Sequence, residues 1–469
     1  MANYSISKSN IPQIILGFCA LLSFFELVLN IFDKSSFLTN LFIGQVFVIF
    51  IISFVTTYKR IGILHIFTLL HITTFVFALG GLFVFILLGI DSFKVAYSPT
   101  YVRFHEETVQ RALCLYSLFV SISNVSFFHF YKKNKYNPQL NSISHRDQEL
   151  FKIGKVTMVL MLPFALLSSY TQFQIGFENR GALYLSGSMS ELGMPFYLRI
   201  TNMFFTTGFY VLIASVPKQR DFLKYFALYV ITLIPILMMG ERGEVIVPII
   251  FFLWYLFRVY GTKINIGLLL VAGTGIMLIS FIVSVVRLGD SISGLSFSDM
   301  IVGFFGTSAT SLELLQYYIE FKNTMEPHNY PFVLDSLIGG LTGAYGQSEE
   351  TLQIRASLGH HLVYALNPGY YLSGFSTGTS FIAECYEFGA IGVGLGAIVL
   401  GWFCNVFNAY IMKSHFRMLF LYLCFQMIIL SPRGSLFLSL YDIIKYSLCF
   451  MILKYSIGLI INKIKNEES

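Results

Sequence analysis

Charged side chains are what this sequence most lacks. Asp, Glu, Lys and Arg make up 12% of its 469 residues, against roughly 25% in an ordinary soluble domain. With 55% apolar residues and a mean hydropathy of +0.70, that shortage excludes a water-soluble globule and places the chain in a bilayer. Cysteines at metal-ligand spacing are also missing. Cys19, Cys114, Cys385, Cys404, Cys424 and Cys449 stand singly in or beside apolar runs, where they read as small hydrophobic residues, so neither a disulfide nor a zinc site is expected. No internal repeat, low-complexity tract or basic stripe stands out. The net charge of +6 is scattered over short connections, which argues against a nucleic-acid surface. The first apolar run has no small-x-small cleavage site after it and reads as a retained span, not a signal peptide.

Long apolar runs are what the chain has instead. We read about twelve of spanning length, roughly 17 to 25 residues each. They fall at approximately 11–32, 38–57, 62–90, 110–131, 154–173, 197–216, 222–240, 245–261, 266–286, 388–411, 416–431 and 435–461. The runs are continuous, whereas barrel strands would alternate, so the expected fold is an all-α polytopic membrane protein. With the N-terminus in the cytoplasm, the inner side carries the excess of Lys and Arg. Its densest part is "YKKNKYNPQL" followed by "SHRDQELFKIGK", between spans 4 and 5. An even number of spans returns Lys463 and Lys465 to the cytoplasm, and most of the acids fall outside.

One connection is far longer than the others. From Arg287 to about Ser380 no span occurs, and loops of that length are functional or disordered. Order is favoured, because "SATSLELLQYYIEF" puts Leu312, Leu315 and Ile319 at helical spacing and "PFVLDSLIGG" does the same for Phe332, Leu334, Leu337 and Ile338. Both are expected to lie flat on the outer membrane face. The stretch "LNPGYYLSGFSTGTS" suits carbohydrate contact and suits an ordinary turn equally. The expected organisation is spans 1 to 9 over 1–286, a large outer loop over 287–380 and spans 10 to 12 over 381–469.

Arginines mark the outer helix ends. In "MMGERGEVIVPII", Glu241 and Glu244 suit the start of a helix, where the dipole favours negative charge. Arg242 does not, so it pairs with those glutamates or with an outside anion. Arg433, in "LSPRGSLF", repeats the placement with no acid beside it, and Arg287 adds a third case where the long loop begins. An arginine fork beside free helix N–H groups suits a phosphate, and several facing one cavity suit a pyrophosphate. Arg355, Arg103 and Arg180 are further outer candidates.

Acids and histidines supply the remaining chemistry. His360 and His361, in "RASLGHHLVYALNPG", are a solvated pair or hold an acceptor for a sugar-hydroxyl proton. Metal binding fits them poorly, because adjacent helical residues point about 100° apart. Glu384 and Glu387 share a helix face, as a general base, as partners of an arginine or as a plain helix-start pair. Within the spans, Asp442 and Lys445 are expected to neutralise each other and His71 to be a satisfied packing residue, while Glu26 shows no evident partner.

The outer "GERGE", the arginine leaving span 9, the long loop and "GFSTGTSFIAECYEFGAIGVGLGAIVLG" form a pattern. The rhythm of Gly378, Ser380, Ala383, Glu384, Tyr386, Phe388, Gly389 and Gly392 resembles the O-antigen polysaccharide polymerase (Wzy) family of the bacterial inner membrane. That resemblance covers roughly 235–440. It implies a GT-C-like, metal-independent glycosyltransferase using no cofactor, which moves a chain from undecaprenyl pyrophosphate to a lipid-linked repeat unit at the periplasmic face. It further implies that Arg242, Arg287, Arg433 and Arg355 hold the pyrophosphate, that His360, His361 or Glu384 acts as base, and that a chain-length-regulating co-polymerase is a partner. An O-antigen ligase would share fold and loop. A lipid-linked oligosaccharide flippase would have short loops throughout.

Overall fold

The structure is a computed structural model that describes residues 11–90, 92–96, 99–131, 146–178, 194–238, 243–262, 310–344 and 346–467, with single helical positions between 267 and 305. Among the described residues, six helices are long and apolar enough to cross a membrane: Ile11–Leu29, Ser36–Ile61, Ile66–Leu88, Glu106–Phe130, Gln148–Ile175 and Phe381–Lys413. The fold is that of an all-α, multi-pass membrane protein. By its contacts the chain divides into two compact units, 1–133 with 295–407 and 427–438, and 134–294 with 408–426 and 439–469.

The first unit opens with α1 (Ile11–Leu29) and α2 (Ser36–Ile61). Helix α2 places Lys59 and Arg60 in its last turn, where they complement the dipole, and stops at Gly62, whose φ of 87° favours glycine. The next span is not a continuous α-helix. It runs as α3 (Ile66–Thr74), a π-helical turn Phe75–Leu79 and α4 (Gly80–Leu88). A short antiparallel pair, β1 (Val95–Ala96) and β2 (Val102–Arg103), leads into α5 (Glu106–Phe130).

Apolar contact alone gives little preference among partners inside a bilayer, so polar pairs help to set helix register. Helix α5 supplies them. Gln110 donates to the Asp33 carbonyl at 2.9 Å and to Thr39 at 3.0 Å, while Asn124 donates to Ser53 at 2.7 Å and Thr57 at 3.0 Å. Glu106 takes Lys94 at 2.9 Å together with the Thr39 hydroxyl. Glu26 has partners that its sequence neighbourhood did not reveal, Gln45 at 2.9 Å and the Cys114 thiol at 3.3 Å. His71 is satisfied on both nitrogens, by Ser53 and by the Phe67 carbonyl, each at 2.7 Å.

Helix α10 (Thr310–Phe321) is one of the two segments expected to lie flat on the membrane. It does not rest on one face: Leu312, Leu315, Tyr317 and Tyr318 are buried and Gln316 is 0% exposed, so the helix is enclosed by its neighbours. Just before it, Phe305 packs edge-on against Phe75 and Phe83 and so closely that a Cβ on Gly80 would lie 2.8 Å from its ring. The chain therefore reaches the level of the middle of Ile66–Leu88 before α10. Beyond it come α11 (Asp335–Thr342), α12 (Glu349–Ile354), α13 (Leu358–Leu366), α14 (Pro368–Leu372), α15 (Phe381–Cys385) and α16 (Gly389–Tyr410).

Expected spans 11 and 12 appear as α17 (His415–Met418), α18 (Leu421–Leu430) and α19 (Leu440–Glu467). Ten residues of α18 rise about 15 Å, roughly half a bilayer, and residues 431–439 form a non-helical turn between α18 and α19.

In the second unit, α6 (Gln148–Glu178) and α7 (Phe196–Ala214) approach closely at glycines: a Cβ on Gly154 would lie 2.7 Å from the Leu212 nitrogen. Helices α8 (Gln219–Met238) and α9 (Gly243–Tyr260) pack through aromatic stacks such as Phe222 on Tyr255, at 4.4 Å. Asp442 and Lys445 form the expected ion pair.

Candidate active site

Asp335 opens α11 directly after the 3-10 turn Phe332–Leu334. Its carboxylate receives the Arg355 guanidinium on both oxygens, Nε to Oδ1 at 3.2 Å and a terminal nitrogen to Oδ2 at 2.6 Å. The Tyr330 hydroxyl adds a third hydrogen bond to Oδ1 at 3.1 Å. One turn along α11, Gly339 makes room for the guanidinium, since a Cβ there would stand 2.5 Å from Nε.

Arg355 follows the last turn of α12, and its carbonyl accepts from His361 Nε2 at 2.8 Å. A carbonyl can only accept, so Nε2 carries the proton and Nδ1 the lone pair. That Nδ1 is enclosed and makes no hydrogen bond among the described residues. Burial pulls His361 below the ordinary histidine range, which keeps it neutral. His360 differs in being only half-buried. Burial first, then the Arg355 charge, pulls its pKa down to about 4, so it is a neutral imidazole at pH 7 with Tyr371 5.6 Å from its ring.

A third histidine joins them. His328 donates from Nδ1 to the Tyr330 carbonyl at 2.9 Å, lies 5.8 Å from His361 between ring centres, and turns Nε2 to Glu387 at 3.8 Å. Glu387 also accepts from the Phe332 backbone N–H at 2.9 Å.

Glu384 sits on α15, whose start is capped by the Ser380 hydroxyl accepting from Ala383 N–H. It is 3% exposed, its Oε1 accepts the Thr379 hydroxyl at 2.9 Å, and Ser435 is a further polar neighbour. Oε2 is shielded and makes no well-formed hydrogen bond among the described residues. The turn 431–439 is tied to this group: Phe381 N–H donates to the Ser431 carbonyl at 3.0 Å and Ser336 to that of Phe437. Within that turn Arg433 is exposed, its guanidinium 5.6 Å from the centre of the Phe77 ring. Phe77 lies at the middle of the span Ile66–Leu88, so this cation stands level with the middle of that span. Irregular backbone and charge at such a level are tolerated only inside protein or beside a wet cavity.

Of the residues read from the sequence, the structure groups Arg355, His360, His361 and Glu384 with Glu387, and brings Asp335 within electrostatic reach of Glu384. Arg433 joins Glu384 through the turn 431–439. Arg103 lies exposed on β2, and Arg242, Arg287 and Arg180 lie outside the described residues. His328 and Tyr330 were not singled out by the sequence reading. The available signal was the stretch "EPHNYP", two prolines bracketing a histidine and a tyrosine just ahead of a helix.

Together these features define a multi-pass helical membrane protein with a folded polar segment built onto a broken-helix turn. The family model of O-antigen polysaccharide polymerase Wzy matches residues 13–465, nearly the whole length, and the chain belongs to that family. Comparisons with curated proteins and with solved structures give no match. Membership carries O-antigen polymerisation, and with it a part in lipopolysaccharide biosynthesis.

Proposed function

We propose that the chain is a GT-C-like O-antigen polymerase with about twelve spans, both termini in the cytoplasm and 287–380 serving the periplasmic side of the inner membrane. It transfers a growing polysaccharide from undecaprenyl pyrophosphate to a sugar hydroxyl of a lipid-linked repeat unit, without a metal. The acceptor oxygen bonds to the anomeric carbon, the bond from that carbon to the pyrophosphate oxygen breaks, and undecaprenyl pyrophosphate leaves with the electron pair. The hydroxyl proton passes to a base. His360 suits this role best, being neutral at pH 7 and only half-buried, while His361 and Glu384 are enclosed.

The observation that carries the reading is Arg433. An arginine level with the middle of a span costs about 2.5 to 3.5 kcal/mol on insertion scales, and it is kept there on the Phe77 ring, in a turn tied to the acid-bearing α15. A cation there suits the phosphates of a lipid-linked substrate entering from the bilayer and stabilises the charge that develops on the leaving pyrophosphate. Arg242 and Arg287 are proposed to share that task, and a co-polymerase is proposed to set chain length.

The test is a lipopolysaccharide gel from cells carrying Arg433→Ala or Arg242→Ala, with membrane levels checked by blot. Collapse of the long ladder to core plus one repeat unit is expected. Loss of even the single unit would point to ligation or flipping, and an unchanged ladder would remove that arginine from the reaction.

A further inference from the structure

We propose that Arg355 is a positioning residue for the histidine pair and not a ligand of the pyrophosphate: Asp335 and Tyr330 lock its side chain, and its backbone carbonyl orients His361. This rests on the reading of His360 as the base. A bidentate pair takes the Nε edge of the guanidinium and leaves a phosphate only the far terminal edge. Asp335 takes Nε and a terminal nitrogen, and Tyr330 holds Asp335 in turn. Gly339 leaves a space that the guanidinium fills, so the lock has a shape as well as a charge. A phosphate displacing Asp335 would strand a largely buried carboxylate and the hydroxyl aimed at it.

The lock acts on the base by two routes. The first is geometric. His361 donates to the Arg355 carbonyl, and the next residue on a helix points about 100° away, so holding His361 sets the direction of His360. The start of α13 is held as well, because Gly359 packs against the Gly378 carbonyl with no room for a Cβ. The second route is electrostatic. The charged or titratable groups facing His360 are Arg355, Asp335, His361 and Tyr371; those facing His361 are His328, Asp335 and Glu326, with the Arg355 carbonyl accepting its N–H. A fixed guanidinium disfavours the imidazolium and so keeps His360 unprotonated, while Asp335 tempers that effect.

The measurement is the rate of polymerisation of lipid-linked repeat units from about pH 3 to 8, by the purified full-length protein in lipid nanodiscs. Arg355→Met should move the acid limb up by about half a unit or more, with KM for the lipid-linked substrate changed less than twofold. Arg355→Lys should keep the limb near its native place at a lower rate. Asp335→Asn should move it down, and Gly339→Ala should lower kcat without raising KM. Thermal melting identifies any variant that does not fold, and Arg355→Lys with Asp335→Asn then carry the test. A many-fold rise in KM with an unmoved limb would make Arg355 a pyrophosphate ligand, and equal loss at every pH in all four variants would make the clamp purely structural. Both overturn the proposal. A different failure is recognisable: if His360→Gln retains full rate and the native limb, the base assignment falls, whatever Arg355 does.

Discussion

Glu26, Glu106 and His71 among helices α1 to α5, and His360, His361 and Glu384 in the segment 326–387, are ionisable groups inside the protein whose hydrogen bonding differs. In the first region Glu106 is paired with Lys94 and Thr39, Glu26 with Gln45 and Cys114, and His71 is bonded through both ring nitrogens. In the second, His360 Nδ1 and His361 Nδ1 are shielded and make no hydrogen bond among the described residues, and Glu384 Oε2 makes no well-formed one. Completing every bond makes a polar group into a fastener. Leaving one position open frees a group for other chemistry, and the surrounding protein must then hold it by other means, as Asp335 and Gly339 hold Arg355 and, through its carbonyl, His361.

The sharpest way to break this comparison is to exchange like for like. Arg433→Ala should lower polymerisation by about two orders of magnitude or more, the scale of removing one donor from a developing anion, as read from ladder length at equal protein level. His360→Gln should cost about 10²- to 10⁴-fold in kcat, with the thermal midpoint nearly unmoved. His71→Leu reverses that pattern. It removes a bonded pair at a cost of roughly 1 to 3 kcal/mol, seen as a lowered melting temperature, while the folded fraction polymerises at the native rate. Asn124→Leu should give a smaller effect of the same kind, about 0.6 to 1.7 kcal/mol, the range for hydrogen bonds between membrane helices. The pH dependence separates the two regions once more. With His360 titrating near 4, activity should stay level from pH 8 to about 5 and fall as the imidazole gains a proton below that.

Much of the fold was legible where one physical rule dominates. Apolar length marked the six spanning helices found among the described residues, helical spacing marked 310–321 and 332–342, and the one-turn offset of Asp442 and Lys445 announced their pair. The same reasoning placed His71 as a packing residue. It stopped where several weak preferences compete. Span 12 was read from 435 because Leu436, Phe437 and Leu438 carry the apolar run back past the start of α19, so only 432–434 showed as a turn, and α10 looked amphipathic although both its faces find partners. The Asp335–Arg355 clamp spans three separate elements, so no spacing rule links its members. Arg355 itself was visible as an outer cation, but its use was not, because a guanidinium in a sequence carries no sign of whether its fork is already occupied.

The third span is interrupted by a π-helical turn at Phe75–Leu79. A π turn amounts to one surplus residue inserted into an α-helix, and each residue turns an α-helix by about 100°. The stretch before Phe75 and the stretch after Leu79 are therefore out of phase, which lets one rod face two clients: His71 meets Ser53 of α2, while Gly80 and Phe83 meet Phe305. Deleting a single residue between Phe75 and Leu79 would bring the two stretches back into phase, swing Gly80 away from Phe305, and carry Phe77 from beneath Arg433.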